Sequence, residues 1–219
     1  RIMVSSFFGG RGSGTHVPDA TRFPGLAVLR GYWAGLIGPD GLPPLRRQVE
    51  PRGLVPVLEQ SFIVERVAPG IARFRIAGMH LTDLMGMDVR GMPMLTLMEP
   101  AARDALSARV EAVFARSAIL EMALEAERGF GRPPLEARLL MLPLRSQDGG
   151  VRLALGCLCT DGEIGRTPRR FAIARDRLEQ MTAEPLREVA EDASPFAHAA
   201  FAPIPGKPHL RLVKGGLGR

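Results

Sequence analysis

The stretch LEARLLMLPLRSQDGGVRLALGCLCT, residues 135–160, holds two apolar runs on either side of Gln147-Asp148-Gly149-Gly150. An Asp-Gly step between such runs is a strong hairpin signal, because both residues tolerate the positive φ a tight turn demands. The spacing predicts strands from Leu135 to Ser146 and from Val151 to Thr160. A strand with one wet face alternates apolar and polar residues, yet Leu139 to Leu144 and Leu153 to Cys159 are largely apolar at both parities. The sheet they belong to is therefore covered on both sides, and the rest of the chain has to supply two covering layers. Cys157 and Cys159 fall on one face of the second strand. Positions two apart in a strand do not make a normal disulfide and no further metal ligand is near, so both read as buried thiols.

Working upstream, Ala118 to Glu127 alternates Leu120, Met122 and Leu124 with Glu121 and Glu125, a third strand. Before it, Pro100 to Ser117 places Leu106, Val110, Val113 and Phe114 on one helical stripe, with proline at the first turn. Ser61 to Val67 and Ile71 to Ala77 flank the turn signal Ala68-Pro69-Gly70 and form a second hairpin, in which Phe74 and Ile76 are expected on one face and Arg73 and Arg75 on the other. Between these blocks, residues 78–98 carry short helical pieces and six of the ten methionines. Pro24 opens an amphipathic helix with Leu26, Leu29, Trp33 and Leu36 at helical spacing, ending at Gly38-Pro39. A connector, Gly41 to Pro51, and a helical turn around Gly53 to Leu58 lead from it to the first strand. Downstream, Asp161 to Arg170 is a polar connector and Phe171 to Met181 forms one more short element.

The 219 residues suffice for one domain with extensions: a flexible leader (1–20), a folded domain (21–181) and a proline-rich basic tail (182–219) ending in Lys207, Arg211, Lys214 and Arg219. With 46% hydrophobic and 24% charged residues, disorder and fibrous compositions are excluded. The formal charge of +6 is spread along the chain, with +3 in residues 1–60, +1 in 61–160 and +2 in 161–219, so no concentrated basic face points to nucleic acid. The longest uncharged stretch, residues 193–206, is interrupted by prolines and falls short of the roughly 20 apolar residues a membrane helix needs. Ile2 to Phe8 is too short for a signal-peptide core, and a cytoplasmic protein without a membrane partner is expected.

Two strands, a run of short helices, one longer helix and a three-stranded meander follow one another in the order of a PAS domain. The local text agrees: Tyr32-Trp33, Ser61-Phe62-Ile63-Val64-Glu65, Arg75-Ile76-Ala77-Gly78-Met79-His80-Leu81, and Leu84-Met85-Gly86-Met87-Asp88-Val89-Arg90-Gly91. Over residues 24–175 the chain resembles a family of small alphaproteobacterial single-PAS-domain proteins, long catalogued as a domain of unknown function. The resemblance implies an α+β fold with a five-stranded antiparallel sheet, short helices on one face and the N-terminal amphipathic helix beside it. It also implies a sensory or regulatory role and brings no catalytic residues.

Chemistry-bearing motifs are sparse. There is no P-loop, HExxH, nucleophile elbow or Cys-x-x-Cys, and Gly10-Arg11-Gly12-Ser13-Gly14 lacks the strand and helix that would make it a phosphate loop. Met85-x-Met87 and Met92-x-Met94 fit irregular core filling or an adaptable pocket wall better than a copper site. His16, His198 and His209 are too scattered to form a metal site with His80. The leading expectation is a non-enzymatic signalling regulator that binds a protein partner or a second copy of itself through Leu26, Leu29, Trp33 and Leu36. The alternative is a sensor of a small apolar ligand, or of haem, in a pocket walled by Phe74, Ile76, Met85, Leu95, Leu120, Met122, Leu139 and Leu155 with His80 as polar anchor. No cofactor and no metal is named by the sequence.

Overall fold

The alternating runs fold as β1 (Ser61–Ala68), β2 (Ile71–Ala77), β3 (Ala118–Ala126), β4 (Glu136–Arg145), β5 (Val151–Asp161) and β6 (Phe171–Gln180). The computed structural model describes residues 19–181. The leader to residue 18, the tail from 182 with its basic patch, the Gly10–Gly14 loop and His16, His198 and His209 lie outside the described residues. The strands form one antiparallel sheet in the order β2-β1-β5-β4-β3-β6. With α1 (Asp19–Arg22), α2 (Pro24–Ala34), α3 (Met79–Met85) and α4 (Arg103–Ala115), the architecture is α+β.

The sheet has six strands where five were expected. Residues 171–180 pair with the full length of β3, from Ala118↔Gln180 to Ala126↔Phe171. Their apolar pattern is weak because this is an edge strand, with Arg175 and Arg177 in solvent on one side and a register shift at Ala174 breaking the alternation. A strand can be held by its ladder without a clear sequence stripe.

One face, called inner below, packs on α3, α4 and the short 3-10 turns between them. Its core includes Phe62, Val64, Phe74, Met94, Met98, Leu106, Val110, Leu120, Met122, Leu139 and Leu158. Phe62 and Phe74 meet edge to face with ring centroids 5.4 Å apart, the geometry aromatic quadrupoles favour. Helix α4 is strapped across this layer at both sides. The Glu111 carboxylate accepts from Arg66 at 3.0 and 2.7 Å and from the Gly70 N–H at 2.8 Å in the β1–β2 turn, while Arg109 pairs with Asp176 on β6. The Arg66 bonds hold the Glu111 carboxyl below its usual range.

The outer face is covered by α2 and by a 3-10 run, Pro51–Gln60, which extends the helical turn expected around Gly53 to Leu58. Leu29 and Trp33 of α2 are buried against Leu140, Leu142 and Leu144 of β4 and Leu155 and Cys157 of β5. The β3–β4 ladder ends at Leu120↔Met141, and two residues on the Pro143 carbonyl accepts from the Trp33 indole N–H at 3.0 Å. Gly25 lets the first turn of α2 lie against the sheet, since a Cβ there would meet the Cys159 Sγ at 2.8 Å. Arg22 at the end of α1 pairs with Glu136 and Asp161, and Arg30 of α2 with Glu179 and Glu121, tying both helices to the sheet. Among the described residues no helix is long and apolar enough to cross a membrane.

Candidate functional site

The residues expected to wall one pocket are divided by the sheet. Phe74, Met85, Leu120, Met122 and Leu139 sit together in the inner core, each at most 3% exposed, and Leu95 packs half-buried against them. Leu155 belongs to the outer core. Ile76 also leaves the group: Ile63 pairs with Ile76 but Val64 pairs with Phe74, so Arg75 is an extra residue in β2 and the bulge turns Ile76 to the outer side, 48% exposed. A two-residue period places Phe74 and Ile76 on one face only where the ladder is regular. The inner cluster also holds Met94, Met98 and the Phe62 ring, which meets Phe74 edge to face.

An open groove lies on the outer side instead. Its volume is about 280 Å³, and Val49, Pro51, Leu54 and Leu58 form one wall while Ile63, Ile76 and Leu155 form the floor. It exists because α2 covers β4 and β5 but stops short of the β1–β2 edge, where the 3-10 run gives partial cover. Two polar side chains line it. Ser61 spends its hydroxyl donating to the Val57 carbonyl at 2.7 Å, whereas Arg46 makes one long bond, 3.3 Å to the Val49 carbonyl, and no ion pair among the described residues.

His80 is not in the inner core either. It is half-buried at the start of α3, hydrogen-bonded through Nε2 to the Thr160 hydroxyl at 3.0 Å. Burial pushes its pKa below the ordinary histidine value, against the opposing pull of Asp83 and Glu59. Cys157 and Cys159 are both free and buried, and the neighbouring Cys159 together with burial holds the Cys157 thiol far above the usual range. Cys159 is held below the usual range by its contact with Cys157 and donates its thiol to the Gln60 Oε1 at 3.4 Å. Among the described residues no group of three His, Cys, Asp or Glu side chains could hold a metal ion.

Sequence reading passed over a feature at the β3–β4 end, Arg128-Gly129-Phe130-Gly131-Arg132. Gly129 and Arg132 exchange backbone hydrogen bonds at 3.2 and 2.9 Å, and Gly131 takes φ +69°, so Phe130 stands at the apex of a tight turn, 97% exposed. A buried arginine locks the turn in place. Arg169 Nη2 donates to the carbonyls of Glu127 at 3.1 Å and Pro133 at 2.8 Å, one on each side of the turn, and Nη1 donates to the Ile164 carbonyl. Burial lowers the Arg169 pKa, the mark of a cation held mainly by peptide dipoles. The Arg166 N–H adds a bond to the Gly131 carbonyl at 2.6 Å, and Arg132 pairs with Glu127. A phenylalanine between two glycines and two arginines was the signal available in the sequence.

The two α2 residues at the centre of the expected interface, Leu29 and Trp33, are committed to the chain's own sheet, while Leu26 and Leu36 are half-buried beside them.

Comparison with known proteins gives one family match. The family model described as PAS domain matches residues 22–159. No curated protein matches the chain. Among solved structures the chain is similar to the light-state structure of the LOV domain of the blue-light photoreceptor Aureochrome1, at 16% identity and TM-score 0.37, covering 51% of this chain and 88% of that one. It is also similar to an RNA-binding Light-Oxygen-Voltage receptor, at 18% identity and TM-score 0.38, covering 54% of this chain and 35% of that one.

Proposed function

The chain belongs to the PAS family, whose members are generally sensory or regulatory rather than catalytic, and from that premise we propose that it is a non-enzymatic cytoplasmic signalling module that acts by contact with a protein partner. The observation that carries this reading is Phe130. Leaving a phenylalanine in water forgoes about 1.5–3 kcal/mol of burial, and here the ring is held out by a turn whose backbone is fixed by Arg169 and Arg166. A rigid aromatic presented this way loses little entropy on docking, which is the property of an interface anchor. Arg128 and Arg166 make no ion pair among the described residues, and they favour a partner whose apolar pocket has a carboxylate rim.

The test uses a photo-crosslinking benzophenone side chain at position 130 of the full chain, expressed in its own cell. A single adduct that excess wild-type protein suppresses and excess Phe130→Ser protein does not is the expected result. Diffuse labelling, or an adduct suppressed equally by both competitors, overturns the reading. Self-association through Leu26, Leu29, Trp33 and Leu36 would require α2 to leave its own sheet for that of a second copy, and native mass spectrometry of the same preparation reports whether copies exchange it. A second reading, a small-molecule sensor, is favoured by the outer groove, whose lining includes Ile76 and Leu155.

A further inference from the structure

We infer that the outer groove binds a small anionic amphiphile, an apolar chain or ring ending in a carboxylate, with the Arg46 guanidinium as the counter-ion. This rests on the small-molecule reading of the same groove. Three observations carry it. The groove offers about 280 Å³ lined by Val49, Leu54, Ile63, Ile76 and Leu155, the lower end of the range in which small-ligand pockets fall, so the apolar part is short. Its polar lining is asymmetric, because Ser61 is already bonded and Arg46 is half-buried with five N–H donors and a single long acceptor, Val49 O at 3.3 Å. A planar guanidinium beside an apolar surface accepts a carboxylate in bidentate fashion, which neutralises it and satisfies its donors together. The bulge at Arg75 supplies the third observation: it turns Ile76 out of the inner core and into this groove, where it lines one side and stays 48% exposed.

The experiment is isothermal titration of the full chain with decanoate and with decanol, both below their aggregation limits, followed by the same titrations on Arg46→Gln and Ile76→Glu. Decanoate is expected to bind one site saturably, and decanol about tenfold or more weaker, as befits the loss of a charge-assisted pair. Arg46→Gln should bring decanoate down to the decanol level while leaving decanol unchanged. Ile76→Glu should weaken both, and since the side chain is exposed the fold is retained. Binding of neither probe defeats the small-molecule reading of the groove and the inference with it. Equal binding of the two, or decanoate affinity indifferent to Arg46→Gln, leaves an apolar groove and overturns the assignment of its ligand class.

Discussion

The two faces of the sheet are both apolar and are finished differently. On the inner face, α3, α4 and the intervening turns form the cover, tied down by Glu111 at the β1–β2 turn and by Arg109 on β6, and the side chains beneath it are buried. On the outer face a single helix and a 3-10 run cover β4 and β5, and the cover ends before the β1–β2 edge. A fully covered face commits its apolar surface to its own layer. A partly covered face has room, and its remaining apolar surface is available to something else. In this molecule the open groove of about 280 Å³ lies where the covering layer runs out, on the far side of the sheet from the methionine-rich layer.

Phe74 and Ile76, two residues apart on β2, test this contrast most directly. Phe74→Ala opens a cavity against Phe62 in the sealed core and is expected to cost about 3–5 kcal/mol in urea unfolding, whereas Ile76→Ala, at the groove, should stay within about 0.5 kcal/mol of wild type. Comparable losses at the two positions would erase the distinction between the faces. Next in size is Trp33→Phe, which keeps most of the apolar contact but leaves the buried Pro143 carbonyl without its donor, a penalty of about 1–3 kcal/mol. Faster amide exchange should then appear in α2 and leave α4 untouched; loss of protection in α4 as well would make the two layers one cooperative unit.

The smallest effect concerns His80, at the end of the sheet where the two layers approach each other. Its folded pKa lies below the ordinary value of 6.5, so the unfolded chain binds the proton more readily. Stability is accordingly complete above 6.5 and declines as pH falls from there through the folded pKa. His80→Gln should flatten that slope, read from denaturant midpoints across the acidic range, and an unaltered slope would assign it to other groups.

Much of this arrangement was written in the apolar periods. The five strands at 61–67, 71–77, 118–127, 135–146 and 151–160, the α4 stripe and the need for cover on both faces all follow from spacing, because burial on a regular element repeats with the element's period. What escaped is what breaks the period. The Arg75 bulge moved Ile76 to the other face, and the Ala174 bulge together with Arg175 and Arg177 concealed β6. The outer groove was also illegible, since it depends on how far α2 reaches along the sheet. Leu155 shares the outer face with Cys157 and Cys159, two and four residues on, and His80 meets the Thr160 hydroxyl rather than the inner cluster. Phe130 is a different kind of omission: its glycine and arginine neighbours were in plain view, but only the carbonyls gathered by Arg169 reveal that the turn is rigid.

Trp33 is the chain's one tryptophan, 2% exposed, with its indole on the Pro143 carbonyl. The molecule thus carries an intrinsic optical probe assigned to one layer. Its emission should remain blue while α2 rests on β4 and move to the red when that helix lifts, so a fluorimeter can follow detachment of the outer cover separately from melting of the inner core.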